Sequence, residues 1–219
     1  MEEDPRPVRC ALLVGALGAL GLLPGTRGAF DDVALLAWLA LLALPAGVLA
    51  GSCGARPWPT GLLVPGLWAF ALVPAALLGD GPKAPLPLAG LGVCTGIFLS
   101  GLALGARLRG RGLPWAGGSF LFVLFLTGFC VRGALARDGA PASHASALVM
   151  RAALELSPLV LVLESSGIDW THSQPTMYTH SGVEWIPRRS YRGPLAASTL
   201  LLVGSLLALS STRRRGRTR

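Results

Sequence analysis

Long apolar stretches alternate with short polar segments along most of the 219-residue chain. Six of these stretches contain no Asp, Glu, Lys, Arg or His; they cover residues 10–26, 33–50, 61–79, 84–106, 113–131 and 193–212. Each has at least the ~17 residues that a helix needs to cross the hydrocarbon core of a bilayer. The pattern therefore predicts an all-α, polytopic membrane helix bundle with six transmembrane helices. Residues 1–219 are then a single integral membrane domain.

Composition agrees with a membrane domain and leaves no room for a large soluble one. The chain is 52% hydrophobic and only 14% charged, whereas a soluble domain carries about 25% charged residues. The net charge of +8 does not indicate a nucleic-acid partner, because the bases cluster at the ends of apolar stretches. The main clusters are Arg107, Arg109 and Arg111, and Arg213, Arg214 and Arg215. Such clusters are typical of cytoplasmic span ends that contact anionic lipid.

The placement of the bases also predicts an orientation. With the first segment inside, the short outer loops contain only Arg27 and Lys83 as bases, accompanied by acidic residues. The opposite orientation would export both arginine clusters, against the positive-inside rule. We therefore expect both termini to be cytoplasmic and residues 132–192 to be outside. All the bases but Lys83 are arginine, and glycine (29 residues) and alanine are abundant, which suggests a GC-rich coding sequence and a bacterial cytoplasmic membrane.

Residues 147–163 form a weaker apolar segment within the long outer loop. Their ten large apolar side chains contribute roughly −0.3 to −0.6 kcal/mol each to insertion. Arg151 and Glu155 oppose this with about 2.5–3.5 kcal/mol each. A seventh crossing is therefore disfavoured. We predict instead a short amphipathic or re-entrant helix over residues 147–157, which Pro158 ends or redirects. It lies on or dips into the outer leaflet and is followed by a short return.

Small residues recur at intervals of four in the fourth apolar stretch. Gly92, Gly96 and Ser100 form one stripe, and Gly101 and Gly105 lie beside it. Such stripes let two helix backbones approach closely in a membrane, where lipid supplies no hydrophobic drive for association. The partner is either another subunit or another helix of this chain, and the abundance of glycine favours packing within the chain.

The remaining outer segment is dense in polar and aromatic side chains. Its candidates for catalysis are Asp169, His172, His180 and Glu184, and its aromatic residues are Trp170, Tyr178 and Trp185. Asp and His three apart, or His and Glu four apart, can share a helix face and bind zinc. However, Pro175 interrupts the segment, and histidines eight positions apart match no known zinc spacing. An interfacial loop whose aromatic side chains contact the membrane or a partner is the favoured interpretation, with no metal and no cofactor.

The arrangement of the spans resembles the membrane (permease) subunit of ABC-2-type exporters. That family has six spans and a long outer segment between the fifth and sixth, with short membrane-dipping helices that correspond here to residues 147–163. The resemblance implies a permease-like subunit that works with a separate ATPase, since the chain has no nucleotide-binding motif. One departure is the cytoplasmic amphipathic helix before the first span, for which residues 1–9 are too few.

Several absences narrow the functional class. No apolar stretch contains a charged residue, whereas ion-coupled transporters place one at depth. No signature of a P-loop, a haem site or a hydrolase is present. We therefore expect an integral membrane subunit with an assembly or anchoring role in a multi-component complex, partnered by other membrane subunits or by further copies of itself. The alternatives are the ABC-type permease and a membrane enzyme that uses the outer segment; a non-enzymatic role is favoured.

Overall fold

The computed structural model describes residues 32–54, 57–78, 86–108, 111–135, 157–166 and 193–216. Within these ranges the regular structure is helical and contains no strand. The helices are α1 (Asp32–Ser52), α2 (Pro57–Leu78), α3 (Leu86–Arg107), α4 (Gly112–Leu135), α5 (Pro158–Ser165) and α6 (Gly193–Gly216). The prediction of an all-α fold is confirmed for this part of the chain.

Five of the helices correspond to predicted spans. They contain 21 to 24 residues, which at 1.5 Å per residue gives about 32–36 Å. That length exceeds the ~30 Å hydrocarbon core of a bilayer. The short helix α5 has eight residues and is about 12 Å long, so it cannot cross. The first predicted span, residues 10–26, lies outside the described residues.

Helix α3 lies at the centre of the described structure, with its most extensive contacts to α1 and α6. Leu36 of α1 lies near Gly90 of α3, and further along both helices Val48 lies against Gly105. The contacts advance in the same direction on both helices, so α1 and α3 run parallel. Their N-terminal ends are at one end of the bundle and their C-terminal ends at the other.

Helix α4 packs along α1 in the opposite direction. It begins next to the last turn of α1, because a Cβ added to Gly112 would collide with the Ser52 hydroxyl. Since α1 ends there and α4 nevertheless makes extensive contact with it, α4 must run back along α1. Helix α2 contacts α3, where Gly61 lies against Leu99.

The core of the bundle is formed by apolar side chains from α1, α2, α3 and α5. Trp68 of α2 and Phe98 of α3 are both fully buried and meet edge to face, with ring centroids 5.4 Å apart. Cys94 belongs to the same cluster and is fully buried, where a thiol behaves as a small apolar side chain.

Two of the described helices satisfy length and hydropathy criteria for crossing a membrane, over Leu35–Ser52 and Leu88–Arg107. These windows are 61% and 56% buried within the molecule. The buried core helix of a soluble protein meets the same criteria, so this finding alone is weak evidence for a membrane protein. The outward-facing residues of the other helices therefore matter more.

Large apolar side chains cover the outside of α2, α4 and α6. Phe70 on α2 is 79% exposed, Leu113 on α4 is 75% exposed and Leu202 on α6 is 62% exposed. On a water-facing helix these positions would be charged or polar. The outer faces of three helices thus have the composition of a surface covered by something apolar.

Candidate functional site

The candidate catalytic and aromatic residues of the outer segment lie outside the described residues. They are Asp169, His172, His180, Glu184, Trp170, Tyr178 and Trp185. Within the described ranges, no group of three or more His, Cys, Asp or Glu residues is arranged to hold a metal ion. The structural features available for a functional argument are therefore the helix contacts, the short helix α5, the buried polar atoms and the basic end of the bundle.

Backbone-to-backbone contact joins α1 and α3 through two pairs of glycines, each pair spaced by four. Gly47 and Gly51 belong to α1, and Gly101 and Gly105 belong to α3. A Cβ on Gly101 would lie 2.6 Å from the Leu44 carbonyl oxygen and 3.2 Å from the Gly47 Cα. Backbone atoms cannot move aside as a side chain can, so glycine is required for this closeness.

A second glycine contact joins α3 to α6. A Cβ on Gly96 would lie 2.6 Å from the carbonyl carbon and oxygen of Leu200, and one on Gly204 would lie 2.5 Å from the Gly96 carbonyl oxygen. Ser100 is half-buried, and its hydroxyl donates to the Gly96 carbonyl at 2.9 Å. Gly92, one turn before Gly96, is also half-buried.

The small-residue stripe of α3 therefore faces helices of the same chain at Gly96, Gly101 and Gly105. These positions are not open to another subunit, because α6 and α1 already occupy them. The sequence analysis did not single out the partner glycines. Gly47 and Gly51 had a detectable signal, since they are four residues apart in an uncharged stretch. Gly204 had a weaker signal in the sequence, because it lies four residues before another small residue, Ala208.

The short helix α5 begins where the sequence analysis predicted a helix to end. Pro158 is at the first position of α5, because its fixed φ and missing N–H suit the first helical turn. For the residues after Pro158 we predicted a short return, and the structure shows a helix there. The predicted helix over residues 147–157 lies, except for Ser157, outside the described residues.

Helix α5 is packed into the bundle at the N-terminal ends of α1 and α3. A Cβ on Gly90 would collide with the Ser166 hydroxyl and would lie 3.3 Å from both Leu36 Cδ2 and the Val162 carbonyl oxygen. Val160 and Val162 are almost fully buried. The hydroxyl of Ser166 donates to the Val162 carbonyl at 2.8 Å, which satisfies a polar side chain in an apolar setting.

Two buried polar atoms have no hydrogen-bond partner among the described residues. They are the indole nitrogen of Trp68 and the hydroxyl of Ser157. Ser157 precedes α5 as its N-cap residue but makes no side-chain capping bond. Leaving a buried donor unpaired costs about 1–3 kcal/mol, so each is a local destabilisation within an otherwise apolar core.

The predicted arginine cluster lies at the end of the bundle where α1 and α3 finish. Arg107 ends α3 and is exposed; Arg111 is exposed just before α4. A tight turn joins them, in which Leu108 N–H donates to the Gly105 carbonyl at 3.0 Å and Arg111 N–H donates to the Leu108 carbonyl at 3.1 Å. A base at a helix C-terminus also interacts favourably with the helix dipole.

The rest of the predicted basic residues are less fully described. Arg213, Arg214 and Arg215 belong to the last residues of α6, and Arg109 lies outside the described residues. Glu164, in contrast, is at the other end of the bundle, because α5 packs there. The described charges therefore differ between the two ends, with arginine at one and a carboxylate at the other.

Comparisons with known proteins do not assign this chain to a family. Function must therefore follow from the helix packing, the surfaces and the charges described above. The chain matches no protein-family model, no curated protein and no solved structure.

Proposed function

We propose that this protein is a multi-pass integral membrane protein that acts as a membrane-embedded subunit of a larger complex, with an assembly or anchoring role. The observation that carries the proposal is the distribution of residue types between interior and surface. Glycines occupy the closest helix contacts, and large apolar side chains cover the outer faces of α2, α4 and α6 as well as filling the core. A water-soluble bundle would have polar side chains on those outer faces.

The outer face of α4 illustrates the argument for a membrane. Its exposed large side chains are Leu113, Trp115, Leu121, Phe122, Leu124 and Phe125. Contiguous apolar surface of this kind is rare on a soluble monomer. In a bilayer the same surface is favourable, and helix association then depends on close backbone packing by small residues. The glycine contacts of α3 with α1 and α6 are of that type.

The directions of the helices support several crossings. Helices α1 and α3 are parallel and α2 connects them, while α4 returns antiparallel along α1. Exposed arginines mark the end where α1 and α3 finish. Under the positive-inside rule this end is cytoplasmic, so α5 and residues 132–192 belong outside. Six spans with both termini cytoplasmic, in a bacterial inner membrane, complete the proposed topology.

The interior supports a structural role more than ion-coupled transport. The buried polar residues of the described ranges are Thr60, Ser157, Ser165 and Ser166, and none is charged. Proton and sodium pathways are usually marked by ionisable side chains within the membrane. A tightly packed, uncharged bundle with a 61-residue outer segment (residues 132–192) is suited to hold or to dock other components.

Membrane fractionation and mild-detergent purification test the proposal in two steps. We expect the full chain to stay in the membrane pellet after an alkaline wash and to elute with at least one further chain or copy. Release by the wash would refute membrane integration. A monodisperse monomer with an activity of its own would refute the subunit role while leaving membrane integration intact.

The same purification separates the alternatives. Helix α5 follows α4 and precedes α6 in sequence, and it is buried against the ends of α1 and α3. This position fits the short dipping helices of an ABC-2-type permease. A separate ATPase among the co-purifying chains would favour that alternative. Loss of a measured activity in His172→Ala or His180→Ala, with unchanged elution, would favour the membrane enzyme.

A further inference from the structure

We propose that Arg107 and Arg111, together with the outer face of the first half of α4, form a binding site for one anionic phospholipid. The headgroup lies at Arg107 and Arg111, and an acyl chain lies along α4. This inference rests on the proposed membrane location of the chain. It goes further by naming a single ligand class and a single site.

The headgroup position is defined by charge. Arg107 and Arg111 are both exposed and are joined by the tight turn through Leu108. The described carboxylate side chain, Glu164, lies at the other end of the bundle, so it does not neutralise them. Guanidinium groups present planar donor pairs that match phosphate oxygens. Two such groups on one turn are complementary to the phosphodiester of an anionic lipid.

An interfacial aromatic residue follows at the expected depth. The backbone N–H of Trp115 donates to the Arg111 carbonyl at 3.4 Å, which places Trp115 one helical turn beyond that arginine. One turn corresponds to about 5.4 Å along the axis. The Trp115 side chain is 51% exposed. Indole prefers the boundary between headgroups and hydrocarbon because it is apolar with one polar edge.

The outer face then continues as apolar surface with a shallow notch. Gly117 and Gly118 are exposed, and a Cβ added to either would meet no atom within 4 Å. One turn further, Leu121 and Phe122 are 66% and 54% exposed. Phe122 lies about 16 Å beyond Arg111 along the axis, close to half of a ~30 Å hydrocarbon core. One acyl chain therefore has matching length and space.

Charge also favours lipid over a second copy of this chain at this face. Two copies related by an axis along the membrane normal would bring the same ends together at the same level. Their arginine pairs would then repel across the contact. An anionic phospholipid instead neutralises the arginines and fills the notch, so it satisfies both the charge and the shape of the surface.

Lipid titration of the full-length protein in mild detergent, followed by native mass measurement, tests the site. The probes are phosphatidylglycerol and phosphatidylcholine with identical acyl chains. We expect the wild type to retain phosphatidylglycerol preferentially. The double variant Arg107→Gln/Arg111→Gln should weaken that binding about 30-fold, since each base near the headgroups contributes about 1 kcal/mol.

A matched control removes two bases elsewhere. Arg27→Gln/Lys83→Gln has the same net charge as the first double variant, and its phosphatidylglycerol binding should change less than about 3-fold. Gly118→Leu, which keeps every charge, should also reduce retention because it fills the notch. Equal losses in the two double variants, or equal retention of both lipids by the wild type, would refute the site. An unchanged elution profile shows that each variant is folded, and release by the alkaline wash would refute membrane integration separately.

Discussion

Gly101→Ala and Gly117→Ala make the same chemical change on two helices, and we predict opposite effects on stability. A Cβ at position 101 would lie 2.6 Å from the Leu44 carbonyl oxygen, whereas one at position 117 would meet nothing within 4 Å. Gly101 is buried between α3 and α1, and Gly117 is exposed on α4. The comparison therefore isolates close helix packing from the general effect of replacing glycine.

The expected magnitudes follow from two opposing effects. Alanine gains up to about 1 kcal/mol over glycine within a helix. At Gly101 that gain is outweighed, because α1 and α3 must separate by about 0.8 Å to restore ordinary contact, and overpacking typically costs about 1–3 kcal/mol. With about 2 kcal/mol for the overpacking, we expect a net loss of about 1 kcal/mol for Gly101→Ala and a gain of up to about 1 kcal/mol for Gly117→Ala.

Thermal unfolding of the purified protein in one detergent measures both variants. At about 2–4 °C per kcal/mol for a chain of this size, the Tm of Gly101→Ala should fall by at least about 2 °C. The Tm of Gly117→Ala should stay level or rise. If Gly101→Ala is as stable as the wild type, or if both variants lose equally, the backbone contact between α1 and α3 is not as the structure has it.

Four further predictions follow from buried groups and from topology. Trp68→Phe removes a buried donor without a partner yet keeps a ring against Phe98, so its Tm should be at least that of the wild type. Trp68→Ala should lower the free energy of unfolding by about 3–5 kcal/mol. A large loss of stability in Trp68→Phe would show that the indole N–H has a partner. Gly96→Leu should lower Tm without changing the mass of the purified species, because its neighbour is α6 of the same chain; a change in mass with Tm preserved would contradict this. A cysteine at position 166 in a cysteine-free background should react slowly with thiol reagents, since Ser166 is fully buried; fast labelling would contradict the packing of α5 into the bundle. A reporter fused after Gly139 should report an external location, and a cytoplasmic signal would contradict the proposed orientation.

The positions of the helices were largely predictable because a single local property determines them. A long run without charge favours a helix in an apolar surrounding, where every backbone polar group must be satisfied within the segment. Helices α1, α2, α3, α4 and α6 accordingly overlap predicted spans. Pro158 shows the limit of such local reasoning, because proline is compatible both with the residue after a helix and with its first turn. From the sequence we predicted a helix before Pro158 and only a short return after it, whereas the structure has helix α5 beginning at Pro158.

The small-residue stripe shows what the sequence by itself determined and what required the tertiary structure. The spacing of Gly96, Gly101 and Gly105 determined that α3 would approach another backbone closely. It did not determine which backbone, because glycine carries no side chain that identifies a partner. Only the fold pairs Gly101 with α1 and Gly96 with α6. Likewise, the sequence determined that Arg107 and Arg111 flank apolar helices, but only the fold shows that α1 ends beside them, since Gly51 lies against Ala106 and Ser52 against Gly112. Contacts between residues distant in the chain depend on how the helices pack, and local patterns do not contain that information.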